Sequence, residues 1–324
     1  ILLIDIFDNS FKKSLTNFIS FNKAETLKQS FKIFLLYSSI TLVIFIILNL
    51  FNIRSFNSLN LSMTIISSGG FLPSDNLSDI LINNPQIIIT SLLLLSSFFS
   101  IFLIYNLLFT KNHNINFFNE DIHLLIYFLV LLIIFFTFFN FDNNFIKLFL
   151  SLTSSVSNIG FSLNNDSKNL YFVFLILVII GGSFFSTSSG IRFLKIYSLF
   201  KYSFNEILSY SRPKNIFVNK HLFSKESFQV NEVYKYFLSI IVFVISLFFL
   251  TYLLTLSGIK FDDSFKLSIL TLMNTVNSSM YGLNDFSFND LHFLTKYCLI
   301  IFMVVGRVEL LTLLIICKKI LFKN

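Results

Sequence analysis

Charge is scarce in this chain: Asp, Glu, Lys and Arg make up 13% of its 324 residues, against about 25% in a typical soluble protein. An ordinary water-soluble domain is excluded. Hydrophobic residues reach 55%, and the polar ones are confined to short stretches between long apolar runs, the pattern of a polytopic membrane protein. Cysteine is nearly absent. Cys298 and Cys317 share one apolar stretch, so there is no disulfide framework and no zinc-ligand spacing. Trp is missing while Phe numbers 46, a bias that fits AT-rich coding and adds no function. The chain also lacks a Gly-rich phosphate loop, a metal-ligand cluster and a nucleic-acid motif. No cofactor, no ATP hydrolysis and no nucleic-acid partner are expected. No basic segment leads into an apolar run and a small-residue cleavage site, so no signal peptide is expected either.

A helix crossing the hydrocarbon needs about 20 apolar residues. Six stretches qualify, at 30–51, 87–109, 122–141, 170–200, 233–257 and 296–320. The fourth carries GGSFFSTSSG between Ile180 and Ile191, and so much Gly and Ser predicts a broken or unwound segment. Such backbone survives at membrane depth only beside protein or water. Lys and Arg crowd segments 1–32 and 201–235 and the tail at Lys318, Lys319 and Lys323. Those parts belong on the cytoplasmic side. The connections after the first, third and fifth spans are richer in Asp and face out, which leaves both termini of this chain cytoplasmic.

The outer connections contain a repeat. SFNSLNLSMTIISSGGF follows the first span, NFIKLFLSLTSSVSNIGF the third and SFKLSILTLMNTVNSSMYG the fifth. Each is a short semi-apolar run ending in Ser, Thr and Asn, with Gly69, Gly160 or a serine at the end. The runs are too short to cross the bilayer, so each predicts a half-length helix that dips in from outside and returns as extended backbone. The C-terminal end of such a helix carries partial negative charge toward the membrane centre. The following backbone offers carbonyl oxygens, the means by which potassium filters replace an ion's water. Cation permeation is the expectation. For a single loop the plainer reading is an amphipathic outer segment with a turn glycine; three in register favour the hairpin.

These residues resemble the Trk/Ktr/HKT superfamily of potassium transporters. SSGGFLPSDN at 67–76 resembles the family's second pore loop and SNIGFS at 157–162 the third, while GGSFFSTSSGIRFLK at 181–195 and GRVELLTLL at 306–314 are the more specific matches. The resemblance implies an all-α integral membrane fold of span–re-entrant loop–span units around a central pore, with six transmembrane helices and three of an expected four repeats. Residues 24–110, 120–205 and 230–320 correspond to repeats two, three and four, 1–23 to a cytoplasmic linker after repeat one, and 206–229 to a basic cytoplasmic loop. On this correspondence repeat one is expected to be missing from the chain, through truncation of the frame or because another gene supplies it.

The resemblance further implies an ion filter at Ser68, Gly69, Asn158, Ile159, Gly160, Ser278 and Ser279. Potassium would meet the backbone carbonyls of Gly69, Gly160 and Ser279, as permeant rather than cofactor. Serine in place of the fourth glycine puts potassium over sodium preference in question. Gly181, Gly182, Ser186, Thr187, Ser188 and Gly190 form an expected gate loop, the alternative being a packing kink whose hydroxyls bond the preceding turn. Arg307 is expected beneath the filter as a pore charge, the alternative being a cross-helix contact. Glu309, roughly 200° round the helix, cannot readily neutralise it. Relatives are dimers that dock a cytoplasmic nucleotide-binding regulatory ring, so a homodimer with such a partner, within the lipid of the cytoplasmic (inner) membrane, is implied. Two other functions compete. One is a non-conducting or sodium-preferring subunit. The other is an intramembrane enzyme using Ser183 or Ser186, which lacks a histidine base because His113, His221 and His292 lie in loops and His123 begins a span on the inner side. The chain is therefore expected not to be an enzyme.

Overall fold

A computed structural model describes residues 26–74, 76–101, 119–138, 145–163, 170–210, 230–283 and 291–308, with Leu103 and Phe288 besides. The expected linker 1–23, Glu309, Cys317 and all of the basic loop beyond Tyr210 lie outside these residues. Among the described residues there are ten α-helices and no strand; one isolated bridge joins Ile180 and Ile191.

The helices run in three successive groups. The first is α1 (Thr26–Leu50), α2 (Ser55–Ser67) and α3 (Asn84–Phe98). The second is α4 (Asn119–Phe138), α5 (Phe145–Val156), α6 (Tyr171–Ile179) and α7 (Phe193–Ser209). The third is α8 (Val230–Leu256), α9 (Phe261–Leu272) and α10 (Phe293–Val308). In each, a leading helix is followed by a half-length one of 13, 12 and 12 residues. The leading helices α1, α4 and α8 contain the windows Ile33–Leu50, Glu120–Thr137 and Val233–Leu256, long and apolar enough to cross a membrane. Only 22%, 28% and 33% of those windows is buried, so most of each leading helix is left for lipid.

The second spans behave differently. The expected span 87–109 is interrupted at Phe99 and Ser100, after α3 has ended at Phe98. The expected span 170–200 splits into α6 and α7 around residues 180–192, where the Gly/Ser run lies.

Lipid is as apolar as leucine, so close packing and hydrogen bonds must hold the groups together. α3 packs on α5, and α6 on α9, which joins the first group to the second and the second to the third. Inside the third group a Cβ on Gly306 would lie 2.1 Å from the Leu272 carbonyl oxygen, so α10 meets α9 backbone to backbone. The hydroxyls of Thr251 and Ser268 tie α8 to α9 at 2.7 Å. The half-helices α2 and α9 begin alike: Ser58 Oγ donates to the Ile53 carbonyl at 3.0 Å and Ser264 Oγ to the Ile259 carbonyl at 3.3 Å.

Candidate functional site: converging loop tips and the loop beneath them

Each half-helix ends in the same way. Ser68, Asn158 and Asn274 take left-handed φ values of 50°, 59° and 51°. One residue later the N–H of Gly69, Ile159 and Thr275 bonds the carbonyl of Thr64, Ser154 and Leu270. Such a cap satisfies carbonyls that a helix end would otherwise strand in the membrane. Asparagine tolerates this conformation better than most residues, which explains two of the three.

The shared hydrogen bonds fix the register between the loops. Gly70 matches Gly160, both at positive φ (72° and 92°), and the third loop has Val276 there, outside the positive-φ set. Phe71 and Phe161 follow, each tied back to its half-helix. Thr64 Oγ1 donates to the Phe71 carbonyl at 2.8 Å, and the Phe161 N–H donates to Ser154 Oγ. Leu270 occupies the equivalent place in α9 and has no hydroxyl, so this tie is lost in the third loop.

The expected register is corrected at two points. Gly69 is not the partner of Gly160, because Gly70 holds that place. In the third loop the matching residues are Asn274, Thr275 and Val276, not Ser278 or Ser279. Ser279 opens the 3-10 turn Ser279–Tyr281, with its hydroxyl 3.1 Å from that of Ser162. The matching Gly-Phe dipeptides at 70–71 and 160–161, each with its Phe seven residues after a Thr or Ser, were the sequence signal for this.

The three tips meet. A Cβ on Gly70 would come within 2.3 Å of the Ile159 carbonyl oxygen and 2.4 Å of Val276 Cγ2. A Cβ on Gly160 would come within 2.3 Å of the Val276 carbonyl oxygen. Glycine is needed at both for this approach. The Val276 N–H donates to the Ile159 carbonyl at 3.4 Å, so one carbonyl of the expected filter set is engaged by a neighbouring loop.

Beneath the tips lies the loop between α6 and α7. Its neck is drawn shut by Gly181 N–H to the Ile191 carbonyl at 2.9 Å and Ile191 N–H to the Ile179 carbonyl at 3.0 Å. A Cβ on Gly181 would stand 2.3 Å from the Ser189 carbonyl oxygen, so only glycine fits the neck. Arg192 holds the interior. Its Nη1 donates to the carbonyls of Ser183 and Ser186 at 3.3 Å, to Ser186 Oγ at 3.2 Å and to the Ser188 carbonyl at 2.9 Å. Thr187 reaches the first tip, its hydroxyl 3.4 Å from that of Ser68.

Two carboxylates join this loop to α4. Glu120 and Asp121 are 1% and 4% exposed. Glu120 accepts the Phe184 N–H at 3.0 Å and the Ser183 hydroxyl at 3.1 Å, while Asp121 accepts the Ser100 N–H at 3.0 Å, at the interruption after α3. Neither acid carried a sequence signal beyond its place at the start of a span. Ser183, one of the two serines of the competing enzyme reading, thus has a carboxylate on its hydroxyl. At 1% exposure that hydroxyl has no access to a substrate.

Arg307 bridges the tips and the loop. Nη1 donates to Ser189 Oγ at 2.9 Å and Nη2 to the Ser67 carbonyl at 3.0 Å. It stands on the wall of a cavity of about 610 Å³ between the first loop, at Ser67 to Phe71, and the third group, at Thr271, Asn274, Asn277 and Val304. The first and third groups flank this opening, whereas neighbouring groups pack directly.

The fold is that of an all-helical membrane protein in which spanning helices alternate with half-length helices ending in left-handed turns. It is similar to the crystal structure of the potassium transporter TrkH from Vibrio parahaemolyticus, with a TM-score of 0.76 at 20% identity over 92% of this chain. The chain spans 66% of the length of that transporter chain. No family model matches the sequence, and no curated protein matches it significantly.

Proposed function

We propose that this chain is a membrane component of a monovalent-cation uptake system, with potassium as the permeant ion, conducted between the re-entrant loop tips and gated by the loop 181–191. The convergence of the three tips at Gly70, Gly160 and Val276 carries this reading, and the fold shared with TrkH supports it. Backbone carbonyls at the ends of three half-helices combine partial negative charge with dehydrating oxygens. In this reading Arg307 is the pore charge and limits how long a second cation rests on the inner side. A fourth span–hairpin–span unit, supplied by another part of the protein or another chain, would close the cavity between the first and third groups. A homodimer in the cytoplasmic membrane with a cytoplasmic nucleotide-binding regulator belongs to the same proposal, with the basic segment around 206–229 on the cytoplasmic face.

Expression of the full gene in cells lacking potassium uptake tests it. Growth at low potassium is expected, and Gly70→Asp or Gly160→Asp should abolish it, since both place a bulky charge where no Cβ fits. Growth surviving both changes overturns the reading. A second reading, a non-conducting or sodium-preferring subunit, is favoured by one observation: Val276 stands where the other tips have glycine. Sodium uptake, or no uptake by wild type with uptake by Val276→Gly, would select it.

A further inference from the structure

The loop 181–191 touches the converging tips through Thr187, and something must hold it there against the tendency of a Gly/Ser-rich segment to sample many conformations. We infer that Glu120 is a positioning residue, the latch that fixes this loop beneath the tips. This deepens the transport reading and rests on it for its consequence in flux. The carboxylate is buried and spends both oxygens on the loop, one on the Phe184 N–H and the other on the Ser183 hydroxyl. Hydrogen bonds in such a low-dielectric site are stronger than the same bonds in water.

Further ties run from the loop to the end of α3, among them the Thr187 hydroxyl donating to the Ser97 carbonyl at 3.4 Å. Ser183 N–H donates to Phe98, Ser188 N–H to Ser97, and Ile101 N–H to the Phe185 carbonyl. Asp121 in turn anchors that α3 end through Ser100. The pair therefore holds both sides of one seam: Glu120 the loop, Asp121 the backbone against which the loop lies. Loss of the Glu120 side chain removes the acceptors that the Phe184 N–H and the Ser183 hydroxyl use in a buried seam. Displacement of the loop away from the tips becomes the way to satisfy them.

The test is cysteine accessibility at Thr187→Cys in the full chain with Cys298→Ser and Cys317→Ser, reconstituted in vesicles. A membrane-impermeant thiol reagent is added on the side that the loop faces, and rubidium flux is measured in the same preparations. Glu120→Ala is expected to speed labelling about tenfold or more and to raise flux. Glu120→Gln, which keeps one acceptor, should fall between, and labelling at Tyr210→Cys, exposed at the end of α7 on the loop's side, should not move. Ser183→Ala removes only the hydroxyl bond and serves if Glu120→Ala fails to fold, with a smaller acceleration expected. Unchanged labelling at Thr187→Cys in the folded variants overturns the latch, whatever the flux. Faster labelling with no flux in any variant upholds the latch and overturns the transport reading.

Discussion

At the scale of single residues, the site depends on where a side chain can be omitted. Gly160 and Gly258 both sit at positive φ, 92° and 90°, yet a Cβ at Gly160 would strike the Val276 backbone and one at Gly258 would meet nothing within 4 Å. Alanine at Gly258 costs only the left-handed penalty, about 1–2 kcal/mol. Alanine at Gly160 should cost about 1–3 kcal/mol more through overpacking. Thermal unfolding of the two variants in detergent measures the difference, and equal shifts would mean the tips are not in contact. The need for glycine at 160 was visible in the sequence; its partner was less so, because SSGG offers two adjacent candidates, of which the Gly-Phe match and the cap hydrogen bonds choose Gly70. In the third loop no glycine marks the place, and the serines at 278 and 279 drew the assignment past Val276. Glu120 and Asp121 were invisible for another reason. Acids in the first turn of a helix are favoured by the dipole alone, so their sequence position carries no hint that a loop some 60 residues later, at Ser183 and Phe184, would bond one of them.

At the scale of elements, composition foretold which helices break and periodicity foretold which ones stop halfway. The half-helices α2, α5 and α9 lie where the three outer runs predicted them, and the GGSFFSTSSG run is the non-helical stretch between α6 and α7. The interruption at Phe99 and Ser100 escaped notice, since SSFFS reads as an ordinary helical stretch. What opens the helix there is tertiary: Asp121 takes the Ser100 N–H that a continuous helix would spend on its own turn. The contact between α9 and α10 is a second tertiary feature, built on Gly306. Gly306→Ala should force the two helices apart and cost about 1–3 kcal/mol. Met303→Ala, at a half-open face of the same helix, should stay within about 0.5 kcal/mol. Detergent-solubilised thermal stability reads both, and a harmless Gly306→Ala would show that α10 does not lie against α9.

At the scale of the whole molecule, the three groups close on one another except where the first and third leave the cavity beside Arg307. If a further unit fills it, a fluorophore on Val304→Cys should be shielded from brominated acyl chains in the assembled membrane protein. The same probe on Ile245→Cys, on the open face of α8, should be quenched. Equal quenching would mean that lipid fills the cavity. Length and composition made the membrane class and the repeat readable, because both are periodic properties of the chain. The gap between groups is not periodic and follows only from how the groups are set around the tips.

Arg192 finally says something about how the loop beneath the tips can travel. Four of its hydrogen bonds go to residues 183–188, so the guanidinium wraps the segment around itself. If the loop gates permeation as proposed, such a segment swings on its glycine neck as a single bead and does not unravel. The Ser186 amide, bonded within the bead to the Ser183 carbonyl, should therefore exchange slowly with deuterium even in a Glu120→Ala protein, while the Ser188 amide, bonded outward to Ser97, exchanges fast. Under the proposed function, such a barrier opens by changing address and keeps its shape.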